Sequence, residues 1–291
     1  MLGKHRVVLA TLCFCLLAGQ AAGQERAEER GRRVYVAGGC FACHTDTKNN
    51  GQELAGGPAL PTPFGTFFAP NITPDREHGI GAWSDQDFLR AMQSGVSPKG
   101  QHYYPVFPYV SYARASKDDL LDLKAYIFTL APSRHESRPH EVKFPFSIRF
   151  LVKFWKYLNF DPKPWLPDKS KSEDWNRGDY LVNALSHCGE CHTPRNFLGG
   201  LDRSRWLAGA PLEGGSWAPN LTPHDTGLGK WSSSDIVTAL ELGLTPDFDV
   251  LGGPMSEVVR HSTGKMRKDD RAAIAEYLQS LPPLKSAERP R

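Results

Sequence analysis

Apolar and polar positions along the chain follow the spacing of helices. Residues 26–37 and 175–186 read as helices, each running into a close pair of cysteines. Ser84 and Ser232 stand where N-caps belong, ahead of helices predicted over 85–94 and 233–242 that Gly95 and Gly243 close. Ser116 caps a further helix over 117–130, which stops before Pro132; a counterpart over 268–281 stops before Pro282 and Pro283. The stretches between are rich in Gly and Pro and carry no alternating strand pattern. The fold class this predicts is all-α.

Two further apolar segments differ from these. Val7 to Leu17 form an apolar run behind Lys4, His5 and Arg6, with small residues at Ala21-Ala22-Gly23. That is the form of a secretory signal peptide over residues 1–23, and the run is shorter than the ~20 residues a membrane span needs. Export places the expected location in the periplasm. Residues 148–159 put Ile148, Leu151, Val152, Trp155 and Leu158 on one helical face, and Arg149, Lys153 and Lys156 on another. This helix either packs against its neighbours or offers a basic amphipathic surface to a partner subunit or a membrane interface, the latter a peripheral contact through residues 148–159.

Composition narrows the class. The 291 residues are 40% hydrophobic and 23% charged, enough apolar material for ordinary folded domains. Lys+Arg total 35 against 32 Asp+Glu, a formal charge of +3, which falls to +1 once Lys4 and Arg6 leave with the leader. No clustered basic excess remains for binding nucleic acid.

The six cysteines form three close pairs. Cys13 and Cys15 belong to the leader. The others repeat one pattern, Cys40-Phe-Ala-Cys43-His44 and Cys188-Gly-Glu-Cys191-His192, and the repetition extends well beyond them. Ala69-Pro-Asn-Ile-Thr-Pro74 recurs as Ala218-Pro-Asn-Leu-Thr-Pro223, and Gly79-Ile-Gly-Ala-Trp83 as Gly227-Leu-Gly-Lys-Trp231. Gly95-Val-Ser-Pro98 recurs as Gly243-Leu-Thr-Pro246, and Asp118-Asp119 with Tyr126 as Asp269-Asp270 with Tyr277. The expected organisation is two tandem domains, 26–133 and 172–283, joined by the linker 134–171 and followed by a polar tail, 284–291.

In a helix, positions i, i+3 and i+4 share one face, so two thiols can bond to one haem while the next imidazole meets its iron. Cys-x-x-Cys-His is the attachment pattern of c-type haem. A zinc site from four cysteines or two disulfides would leave both histidines unexplained, and a thioredoxin-like redox pair belongs in a strand–helix unit that the pattern lacks. The expected cofactors are therefore two covalently bound haem c, through Cys40 and Cys43 and through Cys188 and Cys191, with His44 and His192 on the irons.

Each unit resembles a class I cytochrome c domain. The loops are similar to those of the cytochrome c subunits of membrane-bound alcohol and gluconate dehydrogenases, in Thr62-Pro63-x-Gly65, Asn71-Ile-Thr-Pro-Asp75, Gly79-Ile-Gly-x-Trp83-Ser84 and Tyr104-Pro-x-x-Pro-Tyr109. The resemblance implies that Gly31 and Gly178 mark where the first helix crosses the last, against Tyr126 and Tyr277. It also implies that Pro58 and Pro211 lie in loops whose carbonyl accepts a hydrogen bond from the proximal histidine, and that Trp83 and Trp231 pack on the haem edge or in the core. Asn71 and Asn220 match glycosylation sequons inside this repeated text.

Sixth ligands are expected to differ. The family position in the second unit is Met255, in Gly252-Gly-Pro-Met255. The corresponding place in the first unit is Phe107, which leaves His102 or a tyrosine such as Tyr104 as replacement ligand, or an open position. Met92 and Met266 read as packing residues. Two functions fit this pattern. One is an exported dihaem cytochrome with no substrate chemistry, taking electrons from a dehydrogenase subunit or donor protein and passing them to a downstream acceptor. The other is a peroxidase-like dihaem enzyme with an open first haem.

Overall fold

Capping side chains and left-handed glycines divide the chain into short helices, arranged in the same order in both halves. The computed structural model describes residues 25–286. The leader assigned to 1–23 and the end of the tail assigned to 284–291 lie outside the described residues.

The first half runs α1 (Ala27–Ala37), α2 (Cys40–His44), β1 (Ala59–Thr62), β2 (Gly65–Phe68), α3 (Asp85–Ser94), α4 (Tyr109–Tyr112) and α5 (Lys117–Ile127). The connecting segment holds β3 (Glu141–Val142) and α6 (Leu151–Asn159). The second half repeats the first as α7 (Glu173–Tyr180), α8 (Gly189–His192), β4 (Ala210–Pro211), β5 (Trp217–Ala218), α9 (Ser233–Leu242), α10 (Pro254–His261) and α11 (Lys268–Gln279). Ser84 and Asp87 form a reciprocal capping box at α3, as Ser232 and Asp235 do at α9. Gly95 and Gly243 end the two helices at φ of 59° and 71°, where a side chain would be strained.

The expectation of an all-α fold is corrected: the molecule is mostly helical with some sheet. β1 pairs antiparallel with β2 from Ala59↔Phe68 to Thr62↔Gly65, and β3 adds to β2 through Gly65↔Val142. β4 and β5 make the equivalent hairpin in the second half. These strands have two to four residues, too short for an alternating pattern to register.

Gly31 and Gly178 lie at the helix crossings. A Cβ on Gly31 would sit 1.8 Å from the Asp122 carbonyl oxygen of α5, and one on Gly178 2.0 Å from that of Ala273 in α11. Tyr126 and Tyr277 close in on the same glycines. Arg30 locks the first crossing with hydrogen bonds of 2.6 and 2.8 Å to the Asp122 carboxylate, and Arg177 donates to Asp270 at 2.8 Å in the second. The glycines are 147 positions apart and the leading cysteines 148. The extra residue is absorbed where Leu181–Leu185 follow α7 as one π turn, Ser186 N–H donating to Leu181 O at 2.7 Å.

Buried side chains of both halves, including Leu54, Leu120 and Ile127 with Leu181, Leu207 and Ile274, belong to one contiguous cluster. Met92 and Met266 are buried in it.

The linker helix departs from its expected orientation. Val152 is buried and Trp155 half-buried, but Leu151 and Leu158 point outward and Lys156 is buried. The Lys156 ammonium donates at 2.7 Å to each of the Ser94 and Gly95 carbonyls at the end of α3, where a cation offsets the negative end of the helix. Arg149 lies over the Tyr104 ring and donates to His102 O at 3.0 Å. Two of the three expected surface cations therefore hold the linker to the first half.

Gly31→Ala should lower unfolding free energy by about 3 kcal/mol, since the backbone it strikes cannot yield easily. Lys156→Met should cost about 2 kcal/mol by stranding two carbonyls. Denaturant titration followed by far-UV circular dichroism measures both.

Candidate functional site

Gly39, at φ 60°, turns the chain out of α1 so that Cys40, Cys43 and His44 fall on one short helical turn. In the second half Cys188 precedes α8, and Gly189 is required because a Cβ there would lie 2.0 Å from the Trp206 ring.

His44 Nδ1 lies 2.7 Å from Pro70 O, and His192 Nδ1 2.7 Å from Pro219 O. A carbonyl only accepts, so Nδ1 carries the proton and each Nε2 keeps its lone pair. Burial pulls both imidazoles below the ordinary histidine range, which outweighs the opposing carbonyl bond and keeps them neutral. A neutral ring, fixed in tautomer and orientation by a second partner, is the form that ligates iron.

Placing that carbonyl at Pro58 and Pro211 is thus corrected: it comes from Pro70 and Pro219, beyond the second strand of each hairpin. Pro58 instead follows glycines that pass close to the motif, with Gly56 N–H donating to His44 O at 3.0 Å. Pro211 pairs with Trp217 in the β4–β5 hairpin. The prolines that matter stand inside the repeated Ala-Pro-Asn-x-Thr-Pro text, which is the signal that could have identified them. The asparagines of that text are buried and pin the loop. Asn71 Nδ2 donates to Ser133 O and His135 O at 2.8 and 3.0 Å, and its Oδ1 accepts from Thr73 N–H at 2.9 Å. Asn220 bonds Leu284 O and Thr222 N–H at 2.6 and 2.8 Å. Both side chains are committed inside the protein, so neither sequon offers an acceptor.

No disulfide joins the four cysteines. Burial raises the Cys40 and Cys188 thiols to about 12. Cys43 and Cys191 reach solvent on one side, yet the protein crowded around them raises their thiols too. Among the described residues no three His, Cys, Asp or Glu side chains converge as a metal site. Two thiols and a neutral imidazole on one turn fit covalent haem.

The two motifs meet at the seam between the halves. Gly38 O, two residues before Cys40, accepts from Tyr112 Oη at 3.0 Å and from His187 Nε2 at 3.1 Å; His187 immediately precedes Cys188. Phe41, between Cys40 and Cys43, stacks on His261 of α10 with centroids 4.4 Å apart. Ser111 of α4 faces Glu190, between Cys188 and Cys191, at 3.4 Å. Each half thus lends the helix before its last one to cover the motif of the other. Phe41, Tyr112, His187 and His261 escaped the sequence reading because they act across this seam.

The sixth-ligand candidates separate. Phe107 packs edge-on with Tyr103 and Tyr109 and lies in the cluster that includes Cys40. Tyr104 belongs to a second cluster with Phe67 and Val152, its hydroxyl donating to Phe146 O at 3.1 Å. His102 accepts at Nδ1 from Lys156 at 3.0 Å. Both are engaged with the linker. Met255 is half-buried in the first turn of α10. Trp83 and Trp231 pack half-buried on the main core, their carbonyls accepting from Lys124 and Gln279 of the last helices at 2.9 and 3.0 Å.

Residues 28–131 match the family model described as cytochrome c. The chain is 44% identical over 299 residues to a protein of Cereibacter sphaeroides described as a dihaem c-type cytochrome, covering 96% of this chain and 99% of that one. It is 42% identical over 257 residues to the fructose dehydrogenase cytochrome subunit of Gluconobacter japonicus, and 37% over 285 to the gluconate 2-dehydrogenase cytochrome c subunit of Pantoea cypripedii. The shares of this chain are 87% and 94%, and it spans only 52% and 64% of those two subunits.

Asn71→Ala should cost about 3 kcal/mol by stranding several buried groups at once, and Asn220→Ala a similar amount. Thermal unfolding monitored by circular dichroism tests this.

Proposed function

Because the chain belongs to the cytochrome c family, we propose that it is an exported dihaem carrier, passing single electrons from a periplasmic dehydrogenase toward the respiratory chain. Covalently bound haem c is the cofactor, and it supplies a one-electron iron couple. The observation that carries the reading is the duplicated Cys-x-x-Cys-His turn, each with its histidine kept neutral by burial and oriented by a proline carbonyl.

The remaining roles fall to the chain's own residues. Cys40 and Cys43, with Cys188 and Cys191, would hold the two cofactors, and Nε2 of His44 and His192 would bind the irons. Pro70 and Pro219 orient the rings. Met255 would be the second-half sixth ligand, its neutral thioether favouring ferrous iron. Phe107 occupies the corresponding first-half position and has no ligand atom, so the first-half couple should lie lower. Electron passage makes and breaks no bond, and no residue is assigned a catalytic role. The names of the relatives support a dehydrogenase as donor. The leader over 1–23 supports export, and among the described residues no helix is long and apolar enough to cross a membrane.

The side chain at Phe107 also favours a second reading, a dihaem enzyme reacting with peroxide at the first half. A redox titration of the holoprotein should resolve two steps. Phe107→Met should raise the lower one on the order of 0.1 V, within the ~0.8 V that axial ligands span. Replacing Cys188 and Cys191 together with alanine should leave about half the covalently retained haem after denaturation, as expected of one attachment motif from two. One step of unit stoichiometry would overturn the carrier reading. Carbon monoxide binding to half the haem, together with peroxide turnover, would favour the enzyme.

A further inference from the structure

The linker burial that hides Lys156 leaves an aromatic surface outside. Phe150 is 64% exposed, Phe154 56% and Tyr157 88%. Their spacing of four and three, with Leu158 beside them, makes one face of α6 and its lead-in. The Phe150 and Phe154 rings pack edge-on at 5.4 Å, so they form a surface rather than isolated side chains. Trp155 Nε1 donates to Leu198 O at 2.8 Å and Asn196 bonds Asn159 at 2.9 Å, which sets the 89% exposed Phe197 beside the helix end. Scattered apolar residues are ordinary on a surface; a contiguous ridge of this kind marks an interaction site.

Charge selects the occupant. Between Glu141 and Asp161 the chain has no carboxylate, while Lys143 and Lys153 of the same stretch are exposed. The nine-residue helix is far too short to cross a bilayer. Aromatic rings at headgroup depth, with lysines beside them reaching phosphates, are the composition of a helix lying in the plane of a membrane interface. We infer that Phe150, Phe154 and Tyr157 of the linker insert into an anionic phospholipid surface, with Lys143 and Lys153 on the headgroups. Phe150, Phe154 and Tyr157 lie outside both Cys-x-x-Cys-His motifs, so this surface goes beyond the electron-transfer reading and does not rest on it.

Co-sedimentation of the holoprotein with phosphatidylglycerol vesicles, followed by haem absorbance, tests the inference. Wild type should pellet with these vesicles at low salt and far less with phosphatidylcholine vesicles. Replacing Phe150, Phe154 and Tyr157 together with serine should weaken partitioning by more than about tenfold. Lys143→Glu with Lys153→Glu, which leaves the ridge intact, should weaken it by at least about fivefold per lysine. An unchanged visible spectrum and thermal midpoint would show that the variants fold. The inference is overturned if wild type stays in the supernatant, if it binds neutral vesicles equally, or if the serine variant pellets like wild type. It is also overturned if wild type is a dimer in solution that this variant splits, because a second copy would then cover the ridge.

Discussion

The close approach of the first and last helices of each half is the constraint on which the rest depends. Gly31 against Asp122 and Gly178 against Ala273 allow two backbones to touch where any side chain would separate them. With α1 and α7 fixed in this way, the turns that follow them have fixed positions, and so do the cysteines and histidines on those turns. Arg30 and Arg177 hold the crossings by charge-assisted bonds to Asp122 and Asp270, both nearly buried. Burial alone would raise the Asp270 carboxyl, but its hydrogen bonds from Arg177 and Arg267 prevail and hold it below the ordinary range.

From that anchor the site is completed by backbone more than by side chains. Each hairpin returns the chain so that a proline carbonyl meets Nδ1 of the motif histidine, and a buried asparagine ties this return to the segment after the last helix. One carbonyl fixes the tautomer, the ring plane and the direction of the free lone pair. Burial of the ring does the remainder by disfavouring its charge. The halves then pack through these same turns, with Gly38 O accepting from both Tyr112 and His187, so the two sites share one wall.

The linker shows how packing can rotate an amphipathic helix away from its sequence pattern. A lysine on a polar helical face ordinarily stays in water, but the open carbonyls at the end of α3 give Lys156 acceptors that replace its hydration. Turning that residue inward rotates the aromatic side chains outward. The consequence is a bare apolar ridge from a helix whose cations look, in sequence, like its surface.

Much of the architecture was legible in the residues themselves. The capping serines and closing glycines set α3 and α9 at the predicted bounds, and the duplicated Cys-x-x-Cys-His text identified the cofactor chemistry, because local geometry at spacings of three and four needs no distant partner. Gly31 and Gly178 were legible as crossings through the family likeness. The strands were not, since two to four residues carry no period, and neither were Pro70 and Pro219, whose role lies in a carbonyl that every residue possesses. The outward face of α6 and the seam joining His187 to Gly38 and His261 to Phe41 depend on segments far apart in the chain. The sequence by itself determined which thiols and imidazoles share one turn. Only the tertiary structure decided which backbone oxygen orients each histidine, which side chains lie between the two sites, and which face of the linker meets solvent, because each of these is a competition among distant partners for the same buried space.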